Sequence, residues 1–440
     1  MSLSAAAGKV DLSAKPGLWL TGFGDRERPS EGKLDPIEAR AAILADQERA
    51  VAMVVLDLIG LDAESVACIR AHAPGVEVLV SCTHTHAGPA SMRLRGVMGF
   101  VDREWLAAAL RRTGDLVAGL LGSLRPATMA FGTAEAAGLA YNRQPGGGPL
   151  VETVTAIGVR DSNGAPLATI GSFACHPVVL GNRNFVLSAD FPGAFARAID
   201  ATGGVGLFLQ GCAGDIDPAL HRDRGWGAGA YDDVQAIGAR LAEAAGDALA
   251  GAAWRADVTV RAASRHVRVP LAPRPAPEGL ADFEAGHRAA LEAAMSLPDP
   301  LAEALGAGAQ PSVRAPREAC VPMAMLEWLQ DYRRLERDGQ LPGHVSAEVW
   351  LARFGEWRIV GVPFEAYTGV GQVMAEALRP GPALALGYAN GLIGYLPTDA
   401  AMAQGGYGPG DSHIWFPKLP NPVATGAAGV LIDAARSVGL

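Results

Sequence analysis

An α/β fold, with a mixed β-sheet core and flanking helices, is what this chain predicts, and three observations carry the prediction. Apolar runs of strand length recur throughout: residues 52–58, 75–80, 128–133, 154–160, 167–175, 205–210, 346–354, 357–363 and 383–388. Between them lie stretches with apolar residues at helical spacing, notably 105–121, 232–249 and 323–339. Strand-like and helix-like periods therefore alternate along the chain, which is the pattern of sheets covered by helices. Third, several of the runs end abruptly at Gly or Pro beside a histidine or carboxylate, and strand ends are where α/β proteins place chemistry.

Length and composition bound the answer. The 440 residues are 49% hydrophobic, enough to bury a large core. A net charge of −9 is ordinary for this length, and no run of Lys or Arg forms a basic footprint. Nucleic acid and an anionic membrane surface are thus not expected partners, whereas a small-molecule substrate is. Five cysteines, Cys68, Cys82, Cys175, Cys212 and Cys320, show no CxxC spacing, so reduced buried thiols are expected. The first twenty residues lack the basic start and continuous apolar centre of a secretory signal, and no stretch has about 18 uninterrupted apolar residues. A cytoplasmic protein is the expectation.

Taken in order, residues 9–62 read as strand, loop and strand, the loop containing Gly22-Phe23-Gly24-Asp25-Arg26. Residues 63–72 are helical and lead into the 75–80 strand. Ser81-Cys82-Thr83-His84-Thr85-His86-Ala87-Gly88-Pro89 follows it. Strand alternation would put His84 and His86 on one face, a pair suited to metal ligation and proton transfer, or to buried hydrogen bonds. Arg143 lies in a loop between the 128–133 and 154–160 strands, beside Gln144-Pro145-Gly146-Gly147-Gly148, where a solvated arginine is equally in keeping.

The 167–175 strand is stopped by His176-Pro177, since proline cannot extend a β-ladder. Asp190 is placed to cap a helix running to about residue 201. After the 205–210 strand comes Gly211-Cys212-Ala213-Gly214-Asp215-Ile216-Asp217-Pro218. Its carboxylates can orient an imidazole, act as a base, bind a second cation or simply form the turn. Between about 265 and 345 the composition shifts toward Pro, Ala, Gly and charged residues, with a helix near 280–295, and reads as an insertion or lid within one domain spanning 1–440. The last third supplies Val362-Pro363-Phe364-Glu365, a helix over 368–378, Gly387-Tyr388-Ala389-Asn390, Tyr395 and Tyr407.

These pieces, in this order, resemble the neutral/alkaline ceramidase family of zinc-dependent amide hydrolases. Thr83-His84-Thr85-His86-Ala87-Gly88-Pro89 is the most distinctive match. The resemblance implies a neutral-ceramidase-like catalytic domain in which His84, His176, Glu365 and Tyr395 hold one zinc. It likewise implies that His86, Arg143 and Tyr407 line the reaction site. Two departures concern the substrate. Asp217 stands where the family carries a serine, and with the last motif close to Leu440 the family's C-terminal immunoglobulin-like domain is not expected. A soluble substrate other than ceramide is therefore expected, with Asp217 at the reaction site. The same zinc machinery would open an ester or lactone. A non-catalytic binding protein and a hydrolase using Cys82 or Cys175 as nucleophile are the remaining alternatives.

Overall fold

The computed structural model describes residues 2–273, 275–296 and 316–438. Its first sheet contains eight strands: β1 (Ser4–Asp11), β2 (Glu38–Ala45), β3 (Ala50–Leu56), β4 (Glu77–Cys82), β5 (Arg125–Glu135), β6 (Thr153–Asp161), β7 (Pro166–Phe173) and β8 (Val205–Gln210). They lie in the order β8-β7-β6-β5-β1-β2-β3-β4. β7 with β8 and β3 with β4 are parallel, and the other neighbours are antiparallel. A second sheet follows in chain order: β9 (Val260–Pro270), β10 (His344–Phe354), β11 (Trp357–Gly361) and β12 (Ala383–Leu386). Its last pair, β11 and β12, is parallel.

The two sheets pack face to face. Val51, Met53, Val55, Leu79, Leu207 and Leu209 of the first meet Trp350, Ala352, Phe354, Ile359 and Leu386 of the second in one buried core. Because strand side chains alternate, the intervening residues point outward to helices. Ala52, Val54, Leu56, Val78 and Val80 pack against α1 (Ala63–Arg70) and α2 (Arg103–Leu121). Asp62 and Asp102 cap these helices, accepting from the backbone N–H of Ser65 and Trp105. Phe208 packs against α3 (Asp190–Asp200), in the same core as α4 (Tyr231–Ala250). The sequence reading thus gave the mixed sheet and its helices, but the stacking of two sheets between helical layers is new.

The stretch from 265 to 345 belongs at its two ends to β9 and β10. Within it, α5 (Pro277–Met295) and α6 (Arg317–Arg337) pack together through Phe283 and Trp328, whose rings are 5.2 Å apart. Residues 297–315 of the expected insertion fall outside the described residues. α6 is tied to the body at several points. Arg95 Nη2 donates to Asp331 (3.1 Å), Gly96 N to Glu327 (3.0 Å), and Trp328 Nε1 to the Pro420 carbonyl (3.0 Å). Arg317 pairs with Asp25 in the 22–26 loop. Beyond β10, α7 (Thr368–Glu376) and α8 (Ala427–Ser437) cover the outer face of the second sheet through Val370, Met374, Leu431 and Ile432.

Two local readings change. Asp190 is the first residue of α3 rather than its cap; Ala189 occupies the cap, and its N–H is bound by Asp35 (2.7 Å). Residues 140–142 are not loop but a short strand, antiparallel to Ile216–Pro218 with Tyr141 opposite Asp217.

Candidate active site at the strand ends

Five strands from both sheets, β4, β7, β8, β11 and β12, deliver their C-terminal ends to one place. β4 stops at Cys82, and His84 follows in a left-handed conformation at φ 66°. Simple strand alternation therefore does not bring His84 and His86 together. The turn does, and their Nε2 atoms lie 3.2 Å apart. His176, just past β7, approaches from the other side, and ligand atoms of the three histidines fall within 4.8 Å of one another.

Backbone carbonyls fix how two of these rings present themselves. His84 Nδ1 faces the Ile59 carbonyl at 2.6 Å, and His176 Nδ1 faces those of Ala213 (2.7 Å) and Ile216 (3.1 Å). A carbonyl only accepts, so each Nδ1 carries a proton and each Nε2 is the nitrogen turned toward the centre of the site. Both Nε2 atoms face the same carboxylate oxygen, Glu365 Oε2, at 3.3 and 3.1 Å. Nitrogen and oxygen atoms at these distances are held by a proton or a metal ion between them. Burial lowers the pKa of His86 and His176, aided by neighbouring His84 for the first and by Arg143 for the second. Imidazole nitrogens together with a carboxylate are the donor set a catalytic zinc takes. The residues present therefore fit the metal.

Glu365 reaches the site on a two-residue parallel ladder in which it pairs directly with Tyr395. The Tyr395 hydroxyl accepts from Arg143 Nη2 at 2.9 Å, and the same nitrogen donates to the Gly214 carbonyl. Arg143 Nη1 meets Asp217 Oδ1 at 3.2 Å, with the Asp217 side chain only 2% exposed. Burial works against the guanidinium charge, but Asp217 and Tyr395 outweigh it and raise the Arg143 pKa. Arg143 is therefore no solvated loop residue. Tyr407 stands further out, half exposed, its ring 5.6 Å from that of Tyr395.

Asp215 resolves as a structural group. Its two oxygens accept from Thr368 N and Oγ1 (2.8 and 3.1 Å) and from Asn142 Nδ2 (2.7 Å), which caps α7 and ties it to the Arg143 strand. Burial raises the thiol pKa of both Cys82 and Cys175, so neither presents a thiolate.

Sequence reasoning missed three contributors. Tyr388, at φ 54° and 1% exposed, lays its ring 4.2 Å from His84, with no partner for its hydroxyl among the described residues. Fully buried Arg26 donates to the carbonyls of Thr21 (2.7 Å), His86 (2.6 Å) and Gly181 (3.4 Å), and burial lowers its pKa to about 9. Gly22, at φ 94°, lets the His86 ring lie against the backbone, where an added Cβ would come within 2.4 Å. Tyr388 had a signal, since it stands in a recognised motif; Arg26 and Gly22 lay in a loop read only as flexible.

The strand ends of this α/β scaffold thus gather imidazole and carboxylate groups, able to hold a metal ion, beside an arginine–tyrosine pair. Solved structures share the fold, two of them as follows. One, described as a ceramidase complexed with C2, superposes with a TM-score of 0.71 at 18% identity, covering 99% of this chain and 75% of that one. The other, neutral ceramidase from Pseudomonas aeruginosa, gives 0.70 at 18% identity, covering 99% and 74%. No family model matches the chain. The fold is that of the neutral ceramidases. Among the described residues, no helix is long and apolar enough to cross a membrane.

Proposed function

We propose that the protein is a zinc-dependent hydrolase of a carbon–nitrogen amide bond, acting on a small molecule other than ceramide. The observation that carries this reading is the convergence of His84 Nε2 and His176 Nε2 on Glu365 Oε2, at 3.3 and 3.1 Å, beside Arg143 and Tyr395. His84, His176, Glu365 and Tyr395 would hold one zinc. When bound, the metal supplies Lewis acidity and brings the pKa of a coordinated water to about 7.

The chain's own groups do the remaining work. His86, half-buried beside His84 with its pKa lowered, would pass a proton to the leaving nitrogen. Arg143 and Tyr407 would supply N–H and O–H donors to the negative charge that develops on the carbonyl oxygen. Asp217 is tied to Arg143, so its carboxylate fixes the guanidinium rather than replacing the donor hydroxyl of a serine. Likeness to ceramidases supports amide cleavage over ester or lactone opening, which the same groups could perform.

Hydrolysis of a matched panel of N-acyl amines, N-acyl amino acids, esters and lactones by the zinc-loaded protein tests the reading. Amide turnover that a chelator abolishes and zinc restores is expected. Turnover confined to esters or lactones, or indifferent to chelation, would refute it.

A further inference from the structure

We propose that the pocket over this site selects a compact aromatic group beside the scissile bond; the inference rests on the amide-hydrolase reading of the same site. The pocket has a volume of about 510 Å³, and Phe23, Trp226, Tyr367, Tyr395, Tyr407 and Trp415 line it. In a chain that is 6% aromatic, this is a marked concentration of rings.

The rings form two connected rows. Phe23 meets Trp226 edge-on at 6.3 Å and His86 at 4.8 Å. Tyr395 meets Tyr367 at 6.5 Å and Tyr407 at 5.6 Å, both near perpendicular. Ring faces and edges that line a pocket take another ring in offset or edge-to-face contact, beyond what burial alone contributes.

The walls are also preformed. The Trp415 ring lies against Gly24, where an added Cβ would come within 2.4 Å, and the Tyr367 hydroxyl donates to Gln144 at 3.1 Å. A rigid slot rewards a rigid ligand, because a flexible alkyl chain loses rotamer freedom on entering it. The charged groups on the wall are already engaged. Asp217 holds Arg143, while Asp25 accepts from Arg317 and from Asn182. Ring contact rather than a free charge therefore decides what enters.

Binding, not turnover, tests this, so that failure of the amide reading and failure of the pocket reading separate. Phenylacetohydroxamate and octanohydroxamate share a metal-binding head and a carbon count, and differ in one being aromatic. Calorimetry on the zinc-loaded protein should show the aromatic ligand binding about tenfold tighter. The ratio should fall toward one in Trp226→Ala, whose half-exposed ring stands at the pocket mouth, and in Phe23→Leu, with zinc content unchanged. Equal or tighter binding of the alkyl ligand, or a ratio that survives in both variants, would overturn the proposal. A protein that turns over no amide yet keeps the aromatic preference leaves the pocket reading standing and sinks the amide one.

Discussion

Asp217→Ala is expected to cost nearly as much turnover as Arg143→Ala, and the double variant no more than Arg143→Ala alone. At 3.2 Å, two unit charges attract by about 5 kcal/mol at an effective dielectric of about 20. The Arg143 side chain is 24% exposed, so screening reduces this, and the roughly 3–5 kcal/mol typical of breaking a buried pair is an upper bound. Losing an oxyanion donor costs about 2.7–4 kcal/mol, roughly 100- to 1000-fold in rate. Arg143 keeps its contacts to Gly214 and Tyr395 when Asp217 is removed, which puts Asp217→Ala near the lower end, about 100-fold. The assay is steady-state kcat and KM on an amide the native protein turns over, with zinc content measured in every variant. Effects that simply multiply in the double variant would mean that Asp217 acts on the substrate itself, and the positioning role would be wrong.

Four further outcomes follow from the same geometry. Elemental analysis should find one zinc per chain, lost when His84 and His176 are both replaced by alanine; zinc that stays bound in that variant would remove the proposed ligand set. Tyr407→Phe should lower turnover while leaving zinc bound, since its half-exposed ring stands outside the donor cluster; native turnover would exclude it from the mechanism. Gly22→Ala forces a Cβ into the His86 ring at φ 94° and should destabilise the fold by about 1–3 kcal/mol, read by denaturant unfolding; an unchanged midpoint would contradict the packing. Burial raises the Asp57 pKa to about 7. The folded state therefore holds a proton that the unfolded state releases, and stability falls as pH climbs from the ordinary carboxylate range to about 7. Asp57→Asn should flatten that slope in urea titrations, and an unaltered slope would assign it to other groups.

The gathering of the candidate residues was legible where side chains of unusual type stand at strand ends. His84, His86, Arg143, His176, Asp217, Glu365, Tyr395 and Tyr407 meet in one place although they span most of the chain, because parallel pairs end together. What the sequence hid is mostly backbone and long-range packing. The carbonyls of Ile59 and Ala213 that hold His84 Nδ1 and His176 Nδ1 carry no side-chain signal. β2, read as EARAAILA, is rich in helix-favouring alanine and becomes a strand only because β1 and β3 pair with it on both sides. Nothing local announces that the inner faces of β3 and β10 belong to one core. The partner of Asp217 was equally hidden, since the contact needs the ladder between 140–142 and 216–218.

Amine release by metal-free protein titrated with zinc, on an amide the native protein cleaves, tests the central claim most directly. Activity should rise in proportion to added zinc and break sharply at one equivalent per chain. Amine release before any zinc is added, or a fully loaded protein that cleaves no amide of the panel, would contradict it.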